Sequence, residues 1–227
     1  MTLLFIHGSG FTGDVFAAQM AAFPGAHAPN LPGHDAPGEP ASVDEFAAFI
    51  ESYIGERGLT NVVLAGNSLG GAVALECALR GSAAIAGVIL LGSGARLRVA
   101  PAIFEQLERD FEEAAAYLAT LFFAEPAPAL VDAAAARLRR TGQAQVLRDF
   151  RACDAFDATG RLDRLRVPLL ALTGVADRLT PPKFAQFFAD RVEGARARIL
   201  PEAGHLLMLE RPNETNAEIR AFAEQFA

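Results

Sequence analysis

The stretch Val62-Val63-Leu64-Ala65-Gly66-Asn67-Ser68-Leu69-Gly70-Gly71-Ala72-Val73-Ala74-Leu75 constrains this chain more than any other. An apolar run reaches a single serine set among glycines, and small and aliphatic residues at helical spacing follow. The pattern reads as strand, sharp turn and helix. A serine between a strand end and a helix start must adopt a strained backbone. Glycines two positions before and two after it remove the side chains that would collide there. Its hydroxyl is then held clear of the backbone, beside helix N-terminal N–H groups that have no internal partner. That placement suits a nucleophile. A bare Gly-x-Ser-x-Gly also occurs as a plain turn, and it is the flanking strand and helix that favour the chemical reading.

The rest of the chain reads as strand–helix units. Leu3-Leu4-Phe5-Ile6 is a continuous apolar run ending at His7-Gly8-Ser9-Gly10, as a strand buried on both faces would be. Phe16 to Phe23 has a modest helical pattern, and 26–31 reads as a second strand, shortened or confined to an edge by Pro29. Ser42 and Glu45 form a capping box ahead of a helix that Gly58 closes. Residues 86–91, 167–173 and 197–200 supply further strands, with helices over 181–192 and 212–226. Between 96 and 166 the alternation breaks into an Ala- and Leu-rich stretch of three or four helices set above the sheet. The predicted fold is α/β: a doubly wound, mostly parallel sheet of about six strands with right-handed crossovers. Its core spans 1–95 and 167–227, and 96–166 forms a helical cap.

At 227 residues, 52% of them hydrophobic, the chain can bury one large core. Its net charge of −7 disfavours nucleic acid and anionic membrane surfaces as partners. The only two cysteines, Cys77 and Cys153, are far apart and suggest neither a disulfide framework nor a metal site. With no basic leader and no long apolar run, the expected protein is soluble and cytoplasmic, a monomer or homodimer acting on a small molecule.

A serine hydroxyl needs a base, and the base needs a group that fixes its tautomer. His205, just past the last strand, and Asp177, in the loop after the preceding strand, fill those roles at strand carboxyl ends, where such sheets bind ligands. Asp154, Asp157 and Asp163 are competing acids, but they lie in or just after the cap. The Leu69 N–H supplies one oxyanion donor and the Ser9 N–H the other, with Gly10 or Phe11 as alternatives. Gly8, Gly10, Phe11, Asn67, Ser93, Phe104, Phe111 and Phe122 are candidate pocket residues. His7 and His34 read as structural.

His7-Gly8-Ser9-Gly10, Leu31-Pro32-Gly33-His34, Gly66-Asn67-Ser68-Leu69-Gly70-Gly71, Gly174-Val175-Ala176-Asp177 and Ala203-Gly204-His205 together resemble the α/β-hydrolase superfamily, in its order of serine, acid and histidine. Over 96–166 the chain is more distantly similar to the esterase/lipase-like branch with a helical cap. The resemblance implies that the usual N-terminal strands are missing. It also implies a serine carboxylesterase without metal or organic cofactor, acting on esters of small, mostly apolar acids. The alternatives are carbon–carbon, lactone or thioester hydrolysis, a lyase on the same triad, and a non-catalytic receptor of the same fold.

Overall fold

The apolar runs become the strands β1 (Thr2–Ile6), β2 (Val62–Asn67), β3 (Ile85–Leu91), β4 (Leu169–Gly174) and β5 (Arg196–Leu200). They form one parallel sheet in the order β1-β2-β3-β4-β5 in the computed structural model, which describes residues 1–226. Alternate residues of β1 to β4 feed opposite layers. Leu4, Ile6, Leu64, Val88, Leu90 and Ala171 pack on one face, while Leu3, Phe5, Val63, Ile89 and Leu170 pack on the other. Burial on both faces explains why the runs are continuous rather than alternating.

The sixth strand expected over 26–31 is reduced to a single bridge between His27 and Leu4. His27 donates to the Leu3 carbonyl at 2.9 Å and accepts from Phe5 N–H at 2.8 Å. Two residues on, Pro29 has no N–H to continue the ladder.

The helices are α1 (Ala17–Ala22), α2 (Val43–Glu56), α3 (Leu69–Leu79), α4 (Pro101–Arg109), α5 (Phe111–Leu121), α6 (Pro128–Thr141), α7 (Gln143–Ala155), α8 (Lys183–Arg191), the single turn α9 (Leu207–Glu210) and α10 (Pro212–Ala223). The segment predicted as a helix from Phe16 begins as a 3-10 turn at Gly13–Phe16 before α1. The Ser42 hydroxyl caps α2 by accepting from Glu45 N–H at 3.2 Å. The Glu45 carboxylate reaches one residue further back than a capping box requires, to Ala41 N–H at 2.6 Å. α4 to α7 follow one another between β3 and β4, and α3 lies wholly buried against β2 and β3. Among the described residues, no helix is long and apolar enough to cross a membrane.

Candidate active site

β2 ends at Asn67 and α3 begins at Leu69, so Ser68 is the single residue between them, at φ 52° and ψ −115°. A residue with a β-carbon held there stores about 1–3 kcal/mol of backbone strain. Its surroundings enforce the turn. Ser68 N–H donates to the Leu91 carbonyl at 3.0 Å, and the Ser68 carbonyl accepts from Gly71 N–H at 2.9 Å and from the Ser93 hydroxyl at 2.8 Å. The glycines are required by close approach. A β-carbon on Gly66 would strike the Gly70 carbonyl, one on Gly70 the Ile6 carbonyl, and one on Gly71 the Ser93 side chain.

Two loops bring a histidine and an acid to the same rim. His205 Nδ1 lies 2.9 Å from Asp177 Oδ2 and 3.1 Å from Oδ1, and both side chains are buried. Asp177 Oδ1 accepts from the N–H groups of Leu179 at 2.9 Å and Thr180 at 2.8 Å, while Oδ2 accepts from the Thr180 hydroxyl at 2.8 Å. Burial opposes ionisation of Asp177. The His205 charge beside it and the bonds from His205 and Thr180 more than offset that, and hold its carboxyl below the usual carboxylate range. The histidine loop is pinned in turn. His205 N–H donates to the Phe122 carbonyl at 2.8 Å, and the Asn67 amide donates to the carbonyls of Leu91 at 3.0 Å and His205 at 3.2 Å. Glu210 accepts from Gly204 N–H at 2.6 Å and Ala124 N–H at 2.7 Å, and burial raises its carboxyl above the ordinary range.

The loop after β1 lies against the serine turn, where a β-carbon on Gly8 would sit 3.3 Å from that of Ser68. His7 beneath it bonds only backbone. Its Nε2 accepts from Leu31 N–H at 2.9 Å and its Nδ1 donates to the Gly8 carbonyl at 3.0 Å. Burial, with the neighbouring His34 charge, lowers its pKa to about 3 and keeps it neutral. His34 Nε2 meets Asp149 Oδ2 at 2.8 Å with both side chains fully buried. The same oxygen accepts from Gly10 N–H at 2.8 Å, and Oδ1 accepts from the Gln145 amide at 2.8 Å. Thr141 donates to the Gly10 carbonyl at 3.0 Å. Residues of α6 and α7 thereby hold Gly10 at both its backbone groups.

Asp149→Ala would leave His34, Gly10 N–H and Gln145 buried without that partner, and is expected to cost about 3–5 kcal/mol, a melting-temperature drop on the order of 10 °C. Burial pushes the His34 pKa down, but the hydrogen bond and charge of Asp149 outweigh it and the net value is raised. The stability from this pair is therefore complete below the unfolded pKa of about 6.5 and is lost as pH rises through the folded value. Urea unfolding at pH 5.5 and pH 9 checks this. A loss under 1 kcal/mol at the lower pH, or a larger loss at the higher, contradicts it.

Ser68 and His205 line one cavity of about 380 Å³, to which α4, α5 and α7 contribute and which is walled mainly by apolar side chains. A volume of this size is in the range of small-molecule sites. The profile of the α/β-hydrolase family matches residues 3–218, nearly the whole chain. The chain is an α/β hydrolase. A pimeloyl-[acyl-carrier protein] methyl ester esterase of Neisseria meningitidis is 28% identical over 239 residues, covering 96% of this hydrolase and 75% of the relative. The solved structure of a thermophilic esterase superposes with a TM-score of 0.89 at 32% identity, covering 99% of this chain and 90% of that one. An esterase from Exiguobacterium antarcticum shares the fold at a TM-score of 0.90 and 21% identity, over 99% and 92% of the two chains. The hydrolase is of the esterase type.

Of the pocket residues expected from sequence, Gly8, Phe11, Asn67 and Phe122 line the hydrolase's cavity, as does Ser9. The Phe122 ring stacks on His205 with centroids 6.1 Å apart. Four others do not line it. Gly10 is covered by Leu138 and Val146, and its N–H is bonded to Asp149. Ser93 lies beneath the turn, bonded to the Ser68 carbonyl. Phe104 is half-buried outside the cavity, and Phe111 packs at the edge of the core. The helices present Ile103, Tyr117, Leu118, Leu121 and Phe150 instead. Asp154 and Asp157 are turned to Val99 N–H and to Thr159, away from His205. Sequence reasoning passed over Thr180 and Asp149. The Pro-flanked turn after Asp177 could have suggested Thr180, but no local pattern marks Asp149.

Proposed function

We propose that this hydrolase is a serine carboxylesterase for small, mostly apolar acyl groups. In this reading Ser68 Oγ attacks the ester carbonyl while His205 Nε2 takes its proton and passes it to the leaving alkoxide. Asp177 holds the Nδ1–H tautomer and stabilises the imidazolium. The N–H groups of Ser9 and Leu69 receive the oxyanion. Leu69 starts α3 and its N–H has no intrahelical acceptor. Water then enters on the same base and releases the acid. Residues 96–166 act as the cap that closes the site over the acyl chain. The observation that carries the proposal is that a strained Ser68 and a His205 whose Nδ1 is 2.9 Å from Asp177 line the same cavity. The methyl ester named for the Neisseria relative supports the ester class. The two cysteines, free and buried, suit a reducing cytoplasm.

A fluorophosphonate probe tests the assignment. A single adduct is expected, on the peptide carrying Ser68, with loss of p-nitrophenyl butyrate hydrolysis in step with labelling. Labelling elsewhere, or activity that survives full labelling, sinks it.

A further inference from the structure

The cavity's walls carry two permanently charged side chains, Arg98 and Arg178, and no carboxylate, in a chain whose net charge is −7. Arg98 and Phe184 also line a second groove outside the cavity, together with Arg96, Lys183 and Phe187. The two spaces are therefore neighbours across this shared wall. Lys183 is the chain's sole lysine. The four cations meet only two carboxylates. Arg96 stands 3.4 Å from Asp157 and Arg98 3.9 Å from Asp154. Arg98 directs its hydrogen bond to the Asp154 backbone carbonyl at 2.7 Å, and the Asp154 carboxylate itself is taken by Val99 N–H at 3.0 Å. Among the described residues, neither Arg178 nor Lys183 pairs with a carboxylate. Two positive charges without a carboxylate partner, Arg178 on the cavity side and Lys183 on the groove side, thus stand on either side of the wall that Arg98 and Phe184 share.

Cations in a concave, partly apolar setting raise the local concentration of anions and are worth more there than on an open surface. A wholly apolar ester would gain nothing from them. We infer that the groove between Arg98 and Lys183 holds a terminal anion of the substrate, a carboxylate or phosphate joined by an aliphatic chain to the ester placed at Ser68. The inference builds on the esterase proposal and narrows its substrate class from apolar esters to esters of amphiphilic, anion-tailed molecules.

Two measurements keep the groove and the esterase reading separable. The first is calorimetric titration of Ser68→Ala with monomethyl suberate and, in a second arm, with a phosphate-terminated ester of equal length. Saturable one-site binding is expected, at least tenfold weaker when Arg98→Gln and Lys183→Gln are added and weakened by 0.5 M NaCl. The arm that binds tighter identifies the anion. No saturable binding in either arm, or binding indifferent to both substitutions, overturns the groove. The second compares the wild-type enzyme on mono-p-nitrophenyl suberate and its methyl-capped neutral analogue. The anionic ester is expected to have the higher kcat/KM by about fivefold or more, and the ratio should fall toward one in a folded Lys183→Glu variant. Equal kcat/KM for the two esters overturns the groove even if both are hydrolysed. Binding without Ser68-dependent hydrolysis of either leaves the groove standing and overturns the esterase reading.

Discussion

Ser68→Ala is expected to lower turnover of p-nitrophenyl butyrate by about a million-fold, close to 8 kcal/mol in the barrier, while leaving the melting temperature nearly unchanged. The two halves of that expectation have separate causes. Turnover collapses because nothing else at the strand ends could take the nucleophile's place. Ser93 donates its hydroxyl to the Ser68 backbone carbonyl from beneath the turn, the Thr180 hydroxyl is spent on Asp177, and the Ser9 hydroxyl lies against Cys153 Sγ at 3.7 Å. Stability is spared because the bonds that fix the turn run through backbone groups of Ser68, to Leu91, Gly71 and Ser93. Alanine carries the same β-carbon into φ 52°, so the strain is the same in both proteins. Thermal melts with initial rates check both halves. Residual activity above about one part in a thousand removes Ser68 from the mechanism.

Asp177→Asn is expected to lower kcat by about ten-thousand-fold. The surrounding donors dictate why. Oδ1 faces the N–H groups of Leu179 and Thr180, so the asparagine carbonyl must take that place. Its NH2 group is then turned toward His205 Nδ1, where Oδ2 stood at 2.9 Å. A donor in that position makes Nδ1 the acceptor, puts the imidazole proton on Nε2, and removes the lone pair that would receive the Ser68 proton. The same exchange at Asp154 touches only Val99 N–H and Arg98, and should cost less than tenfold. Parallel kcat measurements on the two variants decide the matter. A loss at Asp177 no greater than at Asp154 would move the acid elsewhere.

The sheet was legible because strands buried on both faces are written as unbroken apolar runs. The serine turn was legible because its backbone leaves no room for side chains at 66, 70 and 71. Residues 26–31 were harder: one bridge at His27 and a proline two residues on look, in sequence, much like a short edge strand. The helical segment was legible as helices but not as surfaces. Ala- and Leu-rich helices that pack on both the sheet and one another carry apolar residues on several faces, so periodicity alone cannot tell Ile103 at the cavity from Phe104 outside it. The polar supports escaped for another reason. Asp149, Asn67 and Glu210 act on loops 115–139, 24–138 and 6–86 positions away, and such bonds exist only once the chain is folded.

The double grip on Gly10 by Asp149 and Thr141 bears on how this architecture can be rebuilt. The helical stretch is no detachable module. A transplant from another enzyme that lacked a carboxylate and a hydroxyl at those two places would slacken the loop carrying Ser9, and chemistry would suffer before selectivity changed. Diversification is freer at the rim formed by Arg98, Lys183 and Phe187, where side chains can be traded without disturbing that anchorage.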